Sequence, residues 1–286
     1  MSEALLEAIW AAPDDDAPRL VYADALLERG DPRGELIVRQ CQGDAASDLV
    51  EQYGDLWLGE LGTIIAASTY ERGFLATARI REPRPDLAIT SLIGHPAWRT
   101  LRELRGSMGI AVHPSMTALR VLHVDGERAH WRELLTGTPR PITELYYRPM
   151  IEEEWDADGD VTATPYSGGI FIRSYAPDEF AALAECTALP SLRRLVLSDA
   201  PSNWLQIVIG SKLLDRVPIV ESRDGPVRLK IAGGLAVVDA SQTATTEAVL
   251  QLVHVLPAHL AIELNTGPRF TGRAQVEGLV GRRLRR

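Results

Sequence analysis

A chain of 286 residues, 45% hydrophobic and 24% charged, matches the globular average and can bury a substantial core, which excludes disorder throughout. No apolar run approaches the ~18 residues that span a bilayer; Cys41 and Cys186 form no close pair, which argues against a zinc site or a disulfide scaffold. The net charge of −9 is uneven: residues 1–60 carry 14 acids and 4 arginines, residues 61–150 carry 8 acids and 12 arginines, and the acidic front repels nucleic-acid phosphates.

Helix signals dominate the start. MSEALLEAIW lacks a basic segment and a cleavage site, so it reads as an acidic amphipathic helix in a cytoplasmic protein rather than a signal peptide. Ser2 can cap this helix, with Leu5, Leu6, Ile9 and Trp10 on one face. Asp16 is expected to cap a second helix, with Pro18 tolerated in its first turn and Leu20, Val21, Ala25 and Leu27 as its apolar positions. Gly30 ends it, Asp31-Pro32 starts a third with Leu36 and Ile37 inward, and the spacing predicts a fourth from Asp48 to about Ala67.

Residues 13–37, PDDDAPRLVYADALLERGDPRGELI, resemble the repeat-companion domain of myxobacterial and planctomycete proteins. Ala25-Leu26-Leu27 stands where that family has a Trp-Leu-Glu run. The resemblance covers about 40 residues and implies a following array of leucine-rich-like repeats, but no reaction. Asp14, Asp15 and Asp16 could ligate a hard cation; capping and complementing a helix dipole is the simpler role.

The remaining chain repeats itself. His95-Pro96 precedes Leu101-Arg102-Glu103-Leu104, and 18 residues on His113-Pro114 precedes Leu119-Arg120-Val121-Leu122. Leu189-Pro190 and Leu256-Pro257 lead into strand centres Leu195 and Ile262, both at an offset of 67. Strands are expected at 76–81, 101–105, 119–125, 142–148, 169–174, 192–198, 227–232 and 260–266, with helical or irregular returns at 177–188 and 243–256. Units that cannot bury their apolar faces alone stack into a curved parallel sheet. Val227–Ala232 and Leu235–Ala240, joined by Gly233-Gly234, read instead as a hairpin, so the C-terminal third could leave the array for an antiparallel α+β sheet. The expected organisation is α/β: a helical module over residues 1–69, then a degenerate leucine-rich-repeat-like domain over residues 70–286.

Catalytic signatures are missing. There is no G-x-S-x-G, H-E-x-x-H, C-x-x-C or G-x-G-x-x-G, and Gly210-Ser211-Lys212 fails as a phosphate loop because Leu205 occupies the required glycine position. His95 and His113 fit turn hydrogen bonds better than metal ligation. Glu152–Asp160 holds six acids, and Asp156, Asp158 and Asp160 mimic calcium-loop positions, but the glycine is misplaced and Ser167 replaces the closing glutamate. The basic tail Gly281–Arg286 reads as a solubilising terminus. No cofactor, metal or catalytic residue is expected.

The leading expectation is a non-catalytic protein- or peptide-binding module that uses outward strand positions. These are Glu103, Arg105, Val121, His123, Asp125, Glu144, Tyr146, Arg148, Arg194, Val196, Arg228, Lys230 and Glu263. Arg105, His123, Tyr146, Arg148 and Arg194 are the candidate contacts, suited to an acidic or mixed-charge polypeptide, with neither nucleic acid nor membrane as partner. Two alternatives are a peptide-binding accessory protein of a modified-peptide pathway, capturing a strand at a sheet edge near Val227–Ala240, and a metal-dependent enzyme built on the acidic stretch.

Overall fold

The 18-residue repeat has a physical counterpart in strand register. In the computed structural model, which describes residues 2–81, 89–125, 130–148, 152–153, 173–174, 182–183, 186–198, 208–209, 211, 213–223 and 225–285, β3 (Glu103–Arg105) and β4 (Val121–Asp125) run parallel. Leu104 lies opposite Leu122 and Arg105 opposite His123, the offset of the repeat itself. The histidines do matching work. His95 Nδ1 accepts from the Ala97 N–H and His113 Nδ1 from the Ser115 N–H, both at 3.2 Å. Each thereby turns the chain into the next strand, and the repeated leucines Leu101, Leu104, Leu119 and Leu122 are fully buried beneath it.

The chain divides into two compact units, Met1–His123 and Val124–Arg286. The boundary expected at 69/70 falls inside a strand of the first. That unit opens with helices α1 (Ser2–Ala11), α2 (Ala17–Leu27), α3 (Pro32–Cys41) and α4 (Ser47–Leu58). The fourth helix stops well short of Ala67: Gly59, at φ 53°, ends it, a 3₁₀ turn follows over Gly59–Thr63, and Ile65–Glu71 forms β1. β1 pairs antiparallel with β2 (Phe74–Ile80), and β2 pairs parallel with β3, so the repeat sheet begins as a hairpin. A four-residue helix α5 (Met108–Ala111), buried along its length, returns the chain from β3 to β4.

Helix α2 presents a different face from the one its hydrophobic residues suggest. Leu20, Val21 and Leu27 are exposed, whereas Arg19, Ala23 and Leu26 are buried. Arg19 turns inward because its guanidinium meets acceptors there. It donates to the Pro13 carbonyl at 2.8 Å and the Arg72 carbonyl at 3.2 Å, and stacks 4.8 Å from the Phe74 ring. Ile9, Ala23, Leu26, Ile37 and Phe74 then close into one core. Asp16 does not cap α2 as expected. Asp15 accepts from the Ala17 N–H at 2.9 Å instead, while Asp16 pairs with Arg72 at 3.1 Å and Asp14 pairs with Arg102. The three aspartates thus divide one cap and two ion pairs among them.

The second unit contains α6 (Trp131–Thr136), whose Trp131 stacks on Tyr147 with centroids 4.2 Å apart. Strands β5 (Glu144–Arg148), β8 (Arg194–Ser198) and β9 (Ile219–Arg223) lie side by side in parallel. Direction then reverses twice, into β10 (Val227–Ala232) and β11 (Leu235–Ala240), before β12 (Ala261–Thr266) runs parallel to β11. The hairpin turns on Gly233-Gly234, both at positive φ as its two-residue loop requires. The C-terminal third therefore mixes an antiparallel excursion with a parallel return. A short pair, β6 (Glu152–Glu153) with β7 (Arg173–Ser174), stands apart. Helices α7 (Leu213–Arg216), α8 (Thr246–Val255) and α9 (Arg273–Val280) complete the described elements.

The tail is not merely a solvated end. Arg283 donates to the carbonyls of Leu256, Pro257 and Leu260, and the Arg285 N–H bonds the Ile262 carbonyl at 2.7 Å. Most of the expected strand over 169–174, most of the return over 177–188 and the acidic stretch beyond Glu153 lie outside the described residues. No helix among the described residues is long and apolar enough to cross a membrane.

Candidate functional site

Alternation along parallel strands sends every second side chain to the same face, and register decides which ones become neighbours. In the second unit, Tyr146, Val196, Glu221 and Lys230 fall in one row across β5, β8, β9 and β10. Glu144 and Arg194 form the adjacent row. This face is organised around Glu221, only 7% exposed. Arg194 Nη2 donates to its Oε1 at 3.0 Å and Arg223 Nη2 to its Oε2 at 3.1 Å, with Lys230 Nζ 3.8 Å away. Burial works to raise the Glu221 pKa, but the bonds from Arg223 and Arg194 prevail and hold its carboxyl below the ordinary range. For Arg194 burial likewise opposes charge, and Glu221 reverses that effect, raising its pKa.

Tyr146 stands between these guanidiniums. Its hydroxyl donates to Glu144 Oε2 at 2.8 Å, and the Arg194 and Arg223 guanidinium carbons lie 5.7 and 5.8 Å from its ring centroid. Burial and the bond to Glu144 push the phenol pKa up. Arg194 also reaches Glu144, 3.6 Å away. The result is a rigid aromatic–guanidinium cluster whose rotamers are fixed by ion pairs. The strand cations on this face are Arg148, Arg194, Arg223, Arg228 and Lys230, and its carboxylates are Glu144, Glu221, Asp239, which lies opposite Arg228, and Glu263. Arg148, Arg228 and Lys230 are exposed.

Of the expected contacts, Tyr146 and Arg194 come together in this cluster, and Arg148 extends its row at the end of β5. Arg105 and His123 belong to a separate constellation in the first unit. There, Glu103 Oε1 accepts from Arg105 Nε at 2.7 Å and lies 3.3 Å from His123 Nε2. Val196 was expected to face outward and is fully buried, because Tyr146 and Glu221 flank it in the same row. Glu221 and Arg223 were missed, since no strand was expected at Ile219–Arg223. The available signal was Pro218 followed by Ile219-Val220, 25 residues after the start of β8.

The edge proposed for strand capture does not exist as expected. β10 is paired with β9 and β11, and β11 with β10 and β12, so both of their edges are occupied. Among the described residues no three His, Cys, Asp or Glu side chains converge as a metal site. Comparison with protein families, curated proteins and solved structures finds no match for this chain.

Proposed function

We propose that this chain is a non-catalytic polypeptide-binding protein of the repeat-companion type, and that an acidic or mixed-charge polypeptide docks on the outward strand face of the second unit. One observation carries the reading: a buried carboxylate, Glu221, fixes two guanidiniums beside the Tyr146 ring on an outward strand face. Tyr and Arg held in place before binding lose little side-chain entropy on contact, which is the chemistry of an interface hot spot. The exposed cations Arg148, Arg228 and Lys230 would attract acidic side chains of a mixed-charge segment and make association sensitive to salt.

Peptide ligands selected by display against the full-length chain test this. Enrichment of Asp- and Glu-containing peptides is expected, with affinity falling as salt rises. In calorimetry, combined Tyr146→Ala and Arg148→Ala should weaken the best peptide by about 2 kcal/mol or more. Arg223→Ala should weaken it and also cost about 1–3 kcal/mol of stability, because it removes one partner of the buried Glu221 carboxylate. Enrichment of neutral or basic peptides, or unchanged affinity in the folded variants, overturns the assignment.

A further inference from the structure

A cavity of about 180 Å³ lies within the first unit, enclosed by α1 to α4, the β1–β2 hairpin and the His95 turn. Cavities of about 150 Å³ in apolar cores hold a benzene-sized molecule, so this one has room for a single ring. Its wall is largely aromatic, with Trp10, Trp57 and Phe74 among its rings. No Asp or Glu lines it.

The polar lining is biased toward donors. Arg33 commits its Nε to the Gly73 carbonyl at 2.8 Å and stacks 4.8 Å from Phe74. Among the described residues, no hydrogen bond or ion pair engages its two terminal nitrogens, and the nearby Asp31 carboxylate is used in accepting the Arg33 backbone N–H. His95 accepts from Ala97 through Nδ1, so its neutral ring carries the remaining proton on Nε2. Tyr70 has already given its hydroxyl proton to the Gly54 carbonyl. A half-buried guanidinium with no carboxylate on its terminal nitrogens, in an aromatic pocket lined by no acid, is a place for an anion.

A cationic ligand would meet the opposite situation. Two of the rings, Trp10 and Phe74, already carry the protein's own guanidiniums, Arg99 4.4 Å from Trp10 and Arg19 and Arg33 each 4.8 Å from Phe74, and these would repel a second cation. We propose that the cavity binds a compact aromatic monocarboxylate, its ring among the tryptophans and its carboxylate on the terminal nitrogens of Arg33. This site is independent of the polypeptide-binding reading of the second unit.

The test titrates the full-length protein with benzoate, benzyl alcohol and benzylammonium at neutral pH, by calorimetry and tryptophan fluorescence. Saturable one-to-one binding of benzoate is expected, at least about tenfold tighter than benzyl alcohol, with benzylammonium weakest. Arg33→Met should remove the benzoate preference while retaining the alcohol. Because Arg33 also holds the hairpin turn, Ala97→Leu supplies a second variant that fills the cavity and keeps the guanidinium; it should abolish binding of both ligands. Equal affinity for benzoate and benzyl alcohol, benzoate binding unchanged by Ala97→Leu, or no binding by any probe at millimolar concentration refutes the proposal, the last leaving the cavity as a packing gap.

Discussion

Arg19 shows how one side chain can rotate a helix. Hydrophobic counting places arginine outward, yet Arg19 is 3% exposed and its carbonyl acceptors and the Phe74 ring hold it inside. Burial, reinforced by Arg72, pulls its pKa down to about 10 against smaller opposing pulls from Cys41 and Asp16. The α2 face was illegible because Pro13 alone of the groups that hold Arg19 is local, while the Arg72 carbonyl and the Phe74 ring lie more than fifty residues along the chain. Glu221 hid β9 for the same reason: its partners come from three strands, and a lone acid after Ile219-Val220 reads as the end of an apolar run. His95 was legible, because a histidine before proline at a repeated position needs only local geometry. Its burial depresses its pKa below 6.5, against a smaller opposing pull from Glu60. The unfolded chain therefore takes up a proton first, so stability is complete above pH 6.5 and declines as pH falls toward the native value. His95→Asn keeps a side-chain acceptor for the Ala97 N–H but cannot titrate. Thermal melts between pH 5 and 7.5 should show a smaller acid loss in this variant, and an unchanged loss would show that His95 is not its source.

At the level of elements, the acidic motif and the hairpin turn explain one another. The turn between β1 and β2 places Arg72 at φ 51° and Gly73 at φ 79°, and a non-glycine residue in that region carries strain of about 1–2 kcal/mol. A side chain at Gly73 would also collide with Ile37 on α3, within 2.0 Å. The helices hold this turn from several sides: Asp16 pairs with Arg72, Arg19 binds the Arg72 carbonyl, and Gln40 and Arg33 bind the Gly73 amide and carbonyl. Residues 13–40 thus act as a clamp that grips the β1–β2 hairpin. Sequence alone could assign the aspartates to capping, since their ion-pair partners lie more than fifty residues away. Without the hairpin, Arg19, Arg33 and Asp16 would lose their partners and the Ile9–Ile37 core would lose Phe74. A fragment of residues 1–43 should therefore show no cooperative transition in circular dichroism, whereas the same residues should melt cooperatively in the full chain. A sharp transition in the isolated fragment would contradict the clamp.

Across the whole molecule, the strand–return rhythm was readable wherever repetition was local and weakened where the chain departed from it. The expected strands at 76–81, 101–105, 119–125, 142–148, 192–198, 227–232 and 260–266 all contain or overlap observed ones, and the Gly233-Gly234 hairpin is present. β1 was absorbed into a helix because Ile64 and Ile65 continue the apolar spacing of α4 past Gly59. The candidate site was half legible: alternation singled out Tyr146 and Arg194, but the buried carboxylate that holds Arg194 beside the ring belongs to the missed strand. The agreement between the β3–β4 register and the 18-residue sequence offset has a genetic consequence. A duplication of the DNA encoding residues 95–112 would insert a turn, a strand and a return already shaped to pair with their own parent copy. Such an array can lengthen by copying errors without new chemistry being invented at the joint. A chain carrying that duplication should unfold in one calorimetric transition within about 5 °C of the parent, and its aggregation or loss of cooperativity would mean that this register is tied to its particular neighbours. A protein that grows this way gains strand face in steps, by whole repeats rather than by single substitutions.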